Sequence, residues 1–510
     1  MTVDAIPVLA PDVIEFYRAH RGVFGAMNLL PDHLPSDDRI IELACGVMTV
    51  DYAIGRAFDV PLYLGYLESF AKETERSCRT VGLGESNRDM YRRHLTELHA
   101  MDGATLALEL RRSAKDTMES FNLFLPKQCN LSCRGCYAAA VPVGRHPYHD
   151  ELVTNFFDGA ASIIEQAKQC GARTIYTSGD GEPTIFPRFF DLLELLRTEG
   201  MQWLFFTAGL VFSSEMAAAA AWKDARTWLR GPSRERIAGR LTQYMRDEMP
   251  DPHVRALTAE LAEYREQVQI YHSIWSVDAE QNTGLRRPTI GDYRYESVES
   301  RGYKMALPSS LTRMMREIFT GDLRGRLGVE MPVSDVGVHE VPKVAAFVVD
   351  NGLRSYFEPT IFTGRNRLGD LGDAPAPALA TVAPLLVRTL CGFRNIHQPT
   401  IKYHQTGTGG QFVASPGMGV DPGDLRSMGV LEPLAIDDRT DAFFAAVHSP
   451  LMAYANYVHI TGCKCNDFAA EMVRDRAGVA ARWREISSSL DSSAVSLAAL
   501  VKRLSYETVA

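Results

Sequence analysis

Apolar positions follow two different rhythms along the chain. From residue 1 to about 115 they recur at helical spacing, over 12–20, 37–58, 62–79 and 86–115, which predicts an all-helical N-terminal region. From 119 the rhythm changes to short apolar runs separated by amphipathic stretches. The runs Phe121–Leu125, Arg173–Thr177, Gln202–Phe206, Ile270–Val277, Leu327–Val333 and Ser355–Phe362 read as strands, and 150–169, 187–199 and 340–351 as helices. Such alternation predicts an α/β fold whose parallel sheet carries helices on its outer face, over 116–372. About 60 residues separate the third and fourth strands, too many for one crossover, so 213–267 reads as a helical insertion. Beyond a proline-containing linker at Ala374–Ala380 lies a glycine-rich, irregular region at 385–466, and 467–510 closes the chain with an amphipathic helix.

Composition narrows the function. The 510 residues are 46% hydrophobic and 23% charged, which excludes disorder throughout. With 54 Lys+Arg against 63 Asp+Glu, a net charge of −9 and no basic block, a nucleic-acid or anionic-membrane partner is not expected. The N-terminal stretch carries acids where a secretory signal would carry Lys or Arg, and no apolar run approaches the roughly 18 residues of a membrane span, so a cytoplasmic protein is expected. Nine cysteines fit reduced thiols or metal ligands better than a disulfide framework, and six of them fall in two groups.

The first group, Cys129, Cys133 and Cys136, is spaced C-x3-C-x2-C in the loop after the first strand. Three thiolates from one short loop can hold three corners of a [4Fe–4S] cubane and leave the fourth iron open to a substrate or cofactor. A structural zinc, completed by His146 or His149, is the competing expectation. One strand later stands Gly179-Asp180-Gly181-Glu182-Pro183. Its glycines permit close backbone approach to a ligand, and Glu182 with exposed amides could hold an ammonium group and its carboxylate.

Together these motifs resemble the radical S-adenosylmethionine (SAM) enzymes over about residues 119 to 365. The resemblance implies a partial (β/α)6 TIM-like barrel. It also implies a [4Fe–4S] cluster on Cys129, Cys133 and Cys136 that binds SAM and cleaves it reductively, giving a 5′-deoxyadenosyl radical that takes hydrogen from a substrate. Gly179 to Pro183 looks like the family's G-G-E-P motif. Ser276 and Asp278 look like its ribose-contacting positions, and Arg286 like a contact to the carboxylate. Val333, Ser334, Gly364 and Arg365 fall where adenine contacts are expected. The family's aromatic residue before the third cysteine is here Gly135, and Tyr137 on the other side is its expected replacement. A reductant such as flavodoxin or ferredoxin is implied.

The second group, Cys391, Cys463 and Cys465, resembles the SPASM and Twitch extensions that hold auxiliary [4Fe–4S] clusters, although Ser415 stands where a thiolate is expected. Three expectations stand side by side: a second cluster on these three, a free Cys391 that donates hydrogen to a substrate radical, or small packed residues. Because the N-terminal region reads as helical, with no hairpin and winged helix of the peptide-modifying relatives, the expected substrate is a small molecule such as a carbohydrate or aminocyclitol, dehydrogenated or epimerised. A ribosomally made peptide is the alternative. A zinc-stabilised binding protein is the alternative of another class.

Overall fold

The computed structural model describes residues 102–105, 120–136, 138, 140–142, 148–169, 171–177, 181–214, 224–287, 295–300, 303–333, 337–359, 400–406, 409–415, 477–478, 481 and 485. The strands are β1 (Ser120–Phe124), β2 (Gln128–Cys129), β3 (Val141–Pro142), β4 (Thr174–Thr177), β5 (Gln202–Thr207), β6 (Val268–Ser273), β7 (Tyr295–Ser300), β8 (Tyr303–Pro308), β9 (Leu327–Val333), β10 (Arg354–Pro359), β11 (Thr400–Thr406) and β12 (Gly409–Ser415). The helices are α1 (Asp150–Gln169), α2 (Phe189–Glu199), α3 (Ala225–Trp228), α4 (Ser233–Arg246), α5 (Pro252–Ala262), α6 (Ala279–Arg286), α7 (Ser309–Arg313) and α8 (Val341–Asp350).

One eight-stranded sheet, in the order β10-β9-β6-β5-β4-β1-β11-β12, organises them. From β1 to β10 the six sheet strands succeed one another in chain order and all pair in parallel. Parallel neighbours need a crossover, and helices fill the crossovers. The resulting pattern is α/β, as the alternation predicts. All six expected strands are present, with ends shifted by a few residues. The largest shift is at β6, which stops at Ser273 rather than Val277: Asn282 Oδ1 accepts from the backbone N–H of Trp275 (2.7 Å) and Ser276 (3.1 Å) and draws that segment out of the sheet.

Helix α1 shows how the outer layer is held. Acids occupy its first turn and Lys168 its last, matching the helix dipole, while Leu152, Val153, Phe156, Ala160, Ile163, Ile164 and Ala167 form its buried stripe. Phe156 meets Phe186, Tyr403 and Phe412 with ring centroids 4.9 to 5.2 Å apart, so this one side chain joins the helix layer to the β11–β12 hairpin. Helix α2 ends at Gly200, whose left-handed backbone (φ 69°) lets its N–H return to the last turn.

Two expectations change. The segment 213–267, read as a helical insertion, is also part of the main core: α5, between β5 and β6 in the chain, buries Val254, Leu257 and Leu261 there. Nor is 385–466 irregular throughout, since residues 400–406 and 409–415 form the hairpin that extends the sheet beyond β1. The alternation of Ile401 and Tyr403 with polar neighbours was the missed signal, masked by glycines at 409 and 410. The N-terminal helical region except for 102–105, the end of the expected sixth strand and nearly all of the C-terminal helix lie outside the described residues.

Candidate functional site

Past Phe124 the chain leaves the sheet and Cys129 ends the two-residue strand β2, paired with β3. The following loop is tied down from below. Ser132 N–H donates to Arg287 O (2.9 Å) and Arg134 N–H to Leu285 O (3.0 Å), both at the end of α6. Leu131 packs with Ala208 and Leu210 just past β5, and Cys133 lies against Trp275 and Leu285. A turn from Cys136 N–H to Cys133 O (3.3 Å) keeps the second and third cysteines together. The loop therefore sits over the carboxyl ends of β5 and β6, where α/β sheets bind ligands.

All three cysteines are reduced and partly exposed. Burial holds the Cys129 thiol well above the ordinary range, and the charges of Cys133, Glu182 and Cys136 push it the same way; the Leu131 N–H, 3.3 Å from Sγ, opposes them. Held beside a carboxylate and two further thiols, the Cys129 thiol keeps its proton until a cationic group takes the sulfurs as thiolates, which is the chemistry of a metal centre's donor set. Among the described residues no three His, Cys, Asp or Glu side chains converge on a single ion. The zinc expectation's His146 lies outside those residues.

Gly181 meets this loop from β4. A Cβ there would lie 2.5 Å from Gln128 O and 2.6 Å from Pro126 O, so only glycine lets the two loops touch. The next amide, Glu182 N–H, donates to Gln128 O at 2.9 Å. The Glu182 carboxylate, 4% exposed, accepts from Thr184 N–H (3.2 Å), Thr184 Oγ1 (2.5 Å), Thr207 Oγ1 (2.5 Å) and Ala208 N–H (2.8 Å). It braces the end of β4 against the end of β5. Bonds to a charged acceptor are the strong kind, and with four of them the carboxylate is a structural tie before it is a ligand for an ammonium group. Pro183 begins a short 3-10 turn to Ile185.

Ser276 and Asp278 follow β6 and are likewise engaged locally. Asp278 Oδ1 accepts from Gln281 N–H (2.7 Å) and caps α6, and Ser276 Oγ accepts from Asp278 N–H (3.0 Å) and donates to Gln281 Oε1 (3.2 Å). Arg286, 2% exposed at the end of α6, lies within electrostatic reach of His272, Tyr295 and Glu330. His272 is a core histidine: burial and Arg286 lower it to about 3, its Nε2 lies 2.7 Å from Ser310 Oγ, and Gly209 (φ 68°) makes room for its ring.

Sequence reasoning missed Glu330. In register with Ser273 on β6 and Tyr356 on β10, it shares their face of the sheet, opposite the apolar Val329 and Met331. Phe206, Tyr271 and Tyr356 cluster on the same face, with Phe206 and Tyr271 stacked at 5.1 Å. A single acid inside the apolar run Leu327–Val333 was the available signal. Burial raises Glu330 from 4.5 to about 7, against the hydrogen bond from Ser273 and the charge of Arg286. The folded chain therefore keeps this proton where the unfolded chain has lost it. The stability that goes with it is complete below pH 4.5 and is lost as pH rises through about 7. The loss is a few kcal/mol at most, since each tenfold difference in proton affinity between folded and unfolded chain is worth about 1.4 kcal/mol. Glu330→Gln is expected to be the more stable form above pH 7. Its advantage should shrink towards pH 4.5 in paired urea denaturation series, and a constant difference would contradict the assignment.

Tyr137, Gly179, Asp180, Ser334, Gly364, Arg365, Cys391, Cys463 and Cys465 lie outside the described residues, as do Cys45, Cys78 and Cys170. No helix among the described residues is long and apolar enough to cross a membrane.

No family model matches the chain. Over 100 residues, 19% of its length, it is 28% identical to the tungsten-containing aldehyde ferredoxin oxidoreductase cofactor-modifying protein of Pyrococcus furiosus, and the match spans 26% of that relative. In structure it is similar to SuiB of Streptococcus suis. With the form bound to S-adenosylmethionine the TM-score is 0.30 at 11% identity, covering 64% of this chain and 57% of SuiB. With the form bound to the precursor peptide SuiA it is 0.31 at 12%, covering 65% and 58%. With a further SuiB structure it is 0.37 at 10%, covering 85% and 88%.

Proposed function

We propose that the chain is a radical SAM enzyme built on a partial (β/α)6 barrel, with Cys129, Cys133 and Cys136 holding a [4Fe–4S] cluster. The observation that carries this is the placement of the C-x3-C-x2-C loop over the carboxyl ends of a singly wound parallel sheet, locked to the Gly181–Glu182 turn by a contact only glycine permits. When bound, the cluster supplies one electron to S-adenosylmethionine and so yields a 5′-deoxyadenosyl radical. The chain's own part is positional. The hydrogen bonds to Arg287 and Leu285 fix the loop, and the Glu182 brace fixes the turn beneath it. Leu131, Trp275 and Leu285 keep water from one side of the thiolates.

The Glu182 carboxylate already accepts four hydrogen bonds, so the cofactor's methionine end is proposed to meet the Gly179–Pro183 motif beside it. Arg286 is the proposed partner of its carboxylate, and Ser276 and Asp278 shape the ribose contact through the α6 cap. Tyr137 is proposed against the adenine. For Cys391, Cys463 and Cys465 the auxiliary cluster stays the proposal, with Cys391 as hydrogen donor its rival.

Two substrate classes are carried forward. The small molecule was expected from the helical N-terminal region, nearly all of which lies outside the described residues. The precursor peptide is what one SuiB structure holds, at a likeness too slight to choose between them. Both belong in the assay.

Anaerobic reconstitution followed by dithionite and S-adenosylmethionine tests the reading. About four irons per chain, or about eight with an auxiliary cluster, and release of 5′-deoxyadenosine are expected. A colourless protein with one zinc and no 5′-deoxyadenosine would overturn it. Cys465→Ala is expected to spare 5′-deoxyadenosine release and lower the iron count by about four if the second cluster exists.

A further inference from the structure

We infer that Tyr148 is a positioning residue for the centre held by the cysteine loop: its buried hydroxyl, which has no hydrogen-bond partner among the described residues, donates to a sulfide of that centre. The inference rests on the [4Fe–4S] reading above. Tyr148 stands two residues ahead of α1 and is 8% exposed. Its ring meets Phe186 edge-on, at 5.6 Å and 84°, and Phe186 closes the 3-10 turn that follows Glu182. The ring thus borders the turn that follows Glu182, and Cys129 and Glu182 are both near enough for their charges to act on the hydroxyl.

Buried phenol hydroxyls normally find a partner. Among the described residues this one has none, although Glu182 and Cys129 lie near enough to act on it electrostatically. Both oxygens of Glu182 are taken by Thr184, Thr207 and Ala208. Tyr295, which also packs against the loop, is engaged with Asn282. The Cys129 sulfur does not lie within hydrogen-bond distance of it either, so what remains for Tyr148 is a sulfide of the bound cluster. Burial and those two negative charges disfavour ionisation, so the group stays an O–H donor. A donor to the sulfurs stabilises the more negative, reduced state and raises the reduction potential.

The test is a redox titration of anaerobically reconstituted full-length protein, followed by electron paramagnetic resonance. Tyr148→Phe is expected to load iron as the wild type does and to titrate at a more negative midpoint. Tyr403→Phe, which removes another buried hydroxyl without a partner but one whose charged neighbour is Glu151, is expected to leave the midpoint unchanged. Full iron with an unshifted midpoint in Tyr148→Phe, or an equal shift in Tyr403→Phe, would overturn the inference alone. Absence of any iron–sulfur centre in the wild type would overturn the reading beneath it. Should Tyr148→Phe fail to fold or load, 3-fluorotyrosine at 148 keeps the hydroxyl and strengthens it as a donor. Its midpoint is expected to move positive, and an unmoved one would refute the hydrogen bond.

Discussion

Cys133→Ala is expected to reduce bound iron from about four atoms per chain to a trace, and with it to remove 5′-deoxyadenosine release. Two thiolates cannot hold a cubane that needs three, and no other acid or imidazole among the described residues joins the trio at single-ion range. The polypeptide itself should tolerate the change. Cys133 is partly exposed, and its loop is anchored by backbone hydrogen bonds from its neighbours Ser132 and Arg134. Its contacts with Trp275 and Leu285 are met in part by an alanine methyl. The metal-free variant should therefore unfold within a few degrees of the metal-free wild type. Iron content, visible absorption and a melting curve separate the two effects. A variant that keeps its iron and still cleaves the cofactor would refute the ligand assignment.

Gly181→Ala is expected to damage both stability and metal loading, with nothing polar or charged altered. The new methyl would sit 2.5 Å and 2.6 Å from two carbonyl oxygens, and backbone cannot step aside as a flexible side chain can. Relief requires the Gly181 turn to withdraw from residues 126–128, breaking the bond from Glu182 N–H to Gln128 O. Overpacking of this kind costs about 1–3 kcal/mol and the lost bond about 1 more. A fall in Tm of several degrees follows for a domain of this size. Gln128 immediately precedes Cys129, so the displaced backbone should carry the first thiol out of place and lower iron occupancy more than the loss of stability explains. Gly239→Ala is the control: nothing lies within 4 Å of that Cβ in the middle of α4, and alanine there is expected to stabilise slightly. Normal loading at an unchanged Tm in Gly181→Ala would show that the contact is dispensable.

The strands were legible because each is a short apolar run between helices with a clear 3.6-residue stripe; α1 was expected at 150–169 and spans Asp150–Gln169. The hairpin β7–β8 was not, since Tyr295–Ser300 alternates polar and exposed residues without an apolar face. Motif spacing singled out Cys129, Cys133 and Cys136, which the structure brings into one loop over the carboxyl ends of β5 and β6. It could not show the brace that Glu182 makes, because its four donors come from Thr184, Thr207 and Ala208, the last two at the end of the next strand. Glu330 and Tyr148 escaped for the same reason: their environments are made by residues distant in the chain, and a one-dimensional pattern holds no record of burial.

The position of β11 bears on how the protein is made. β1, the strand that feeds the cysteine loop, pairs with β4 on one side and on the other with β11, about 280 positions downstream. As synthesis proceeds at roughly 5–20 residues per second, β1 waits with one hydrogen-bonding edge bare until the hairpin clears the ribosome. A nascent chain in that interval offers a ready template to a second copy. Cells overproducing this protein should therefore accumulate more of it in soluble form when translation is slowed or a holdase is supplied, and a product stopped short of the hairpin should aggregate.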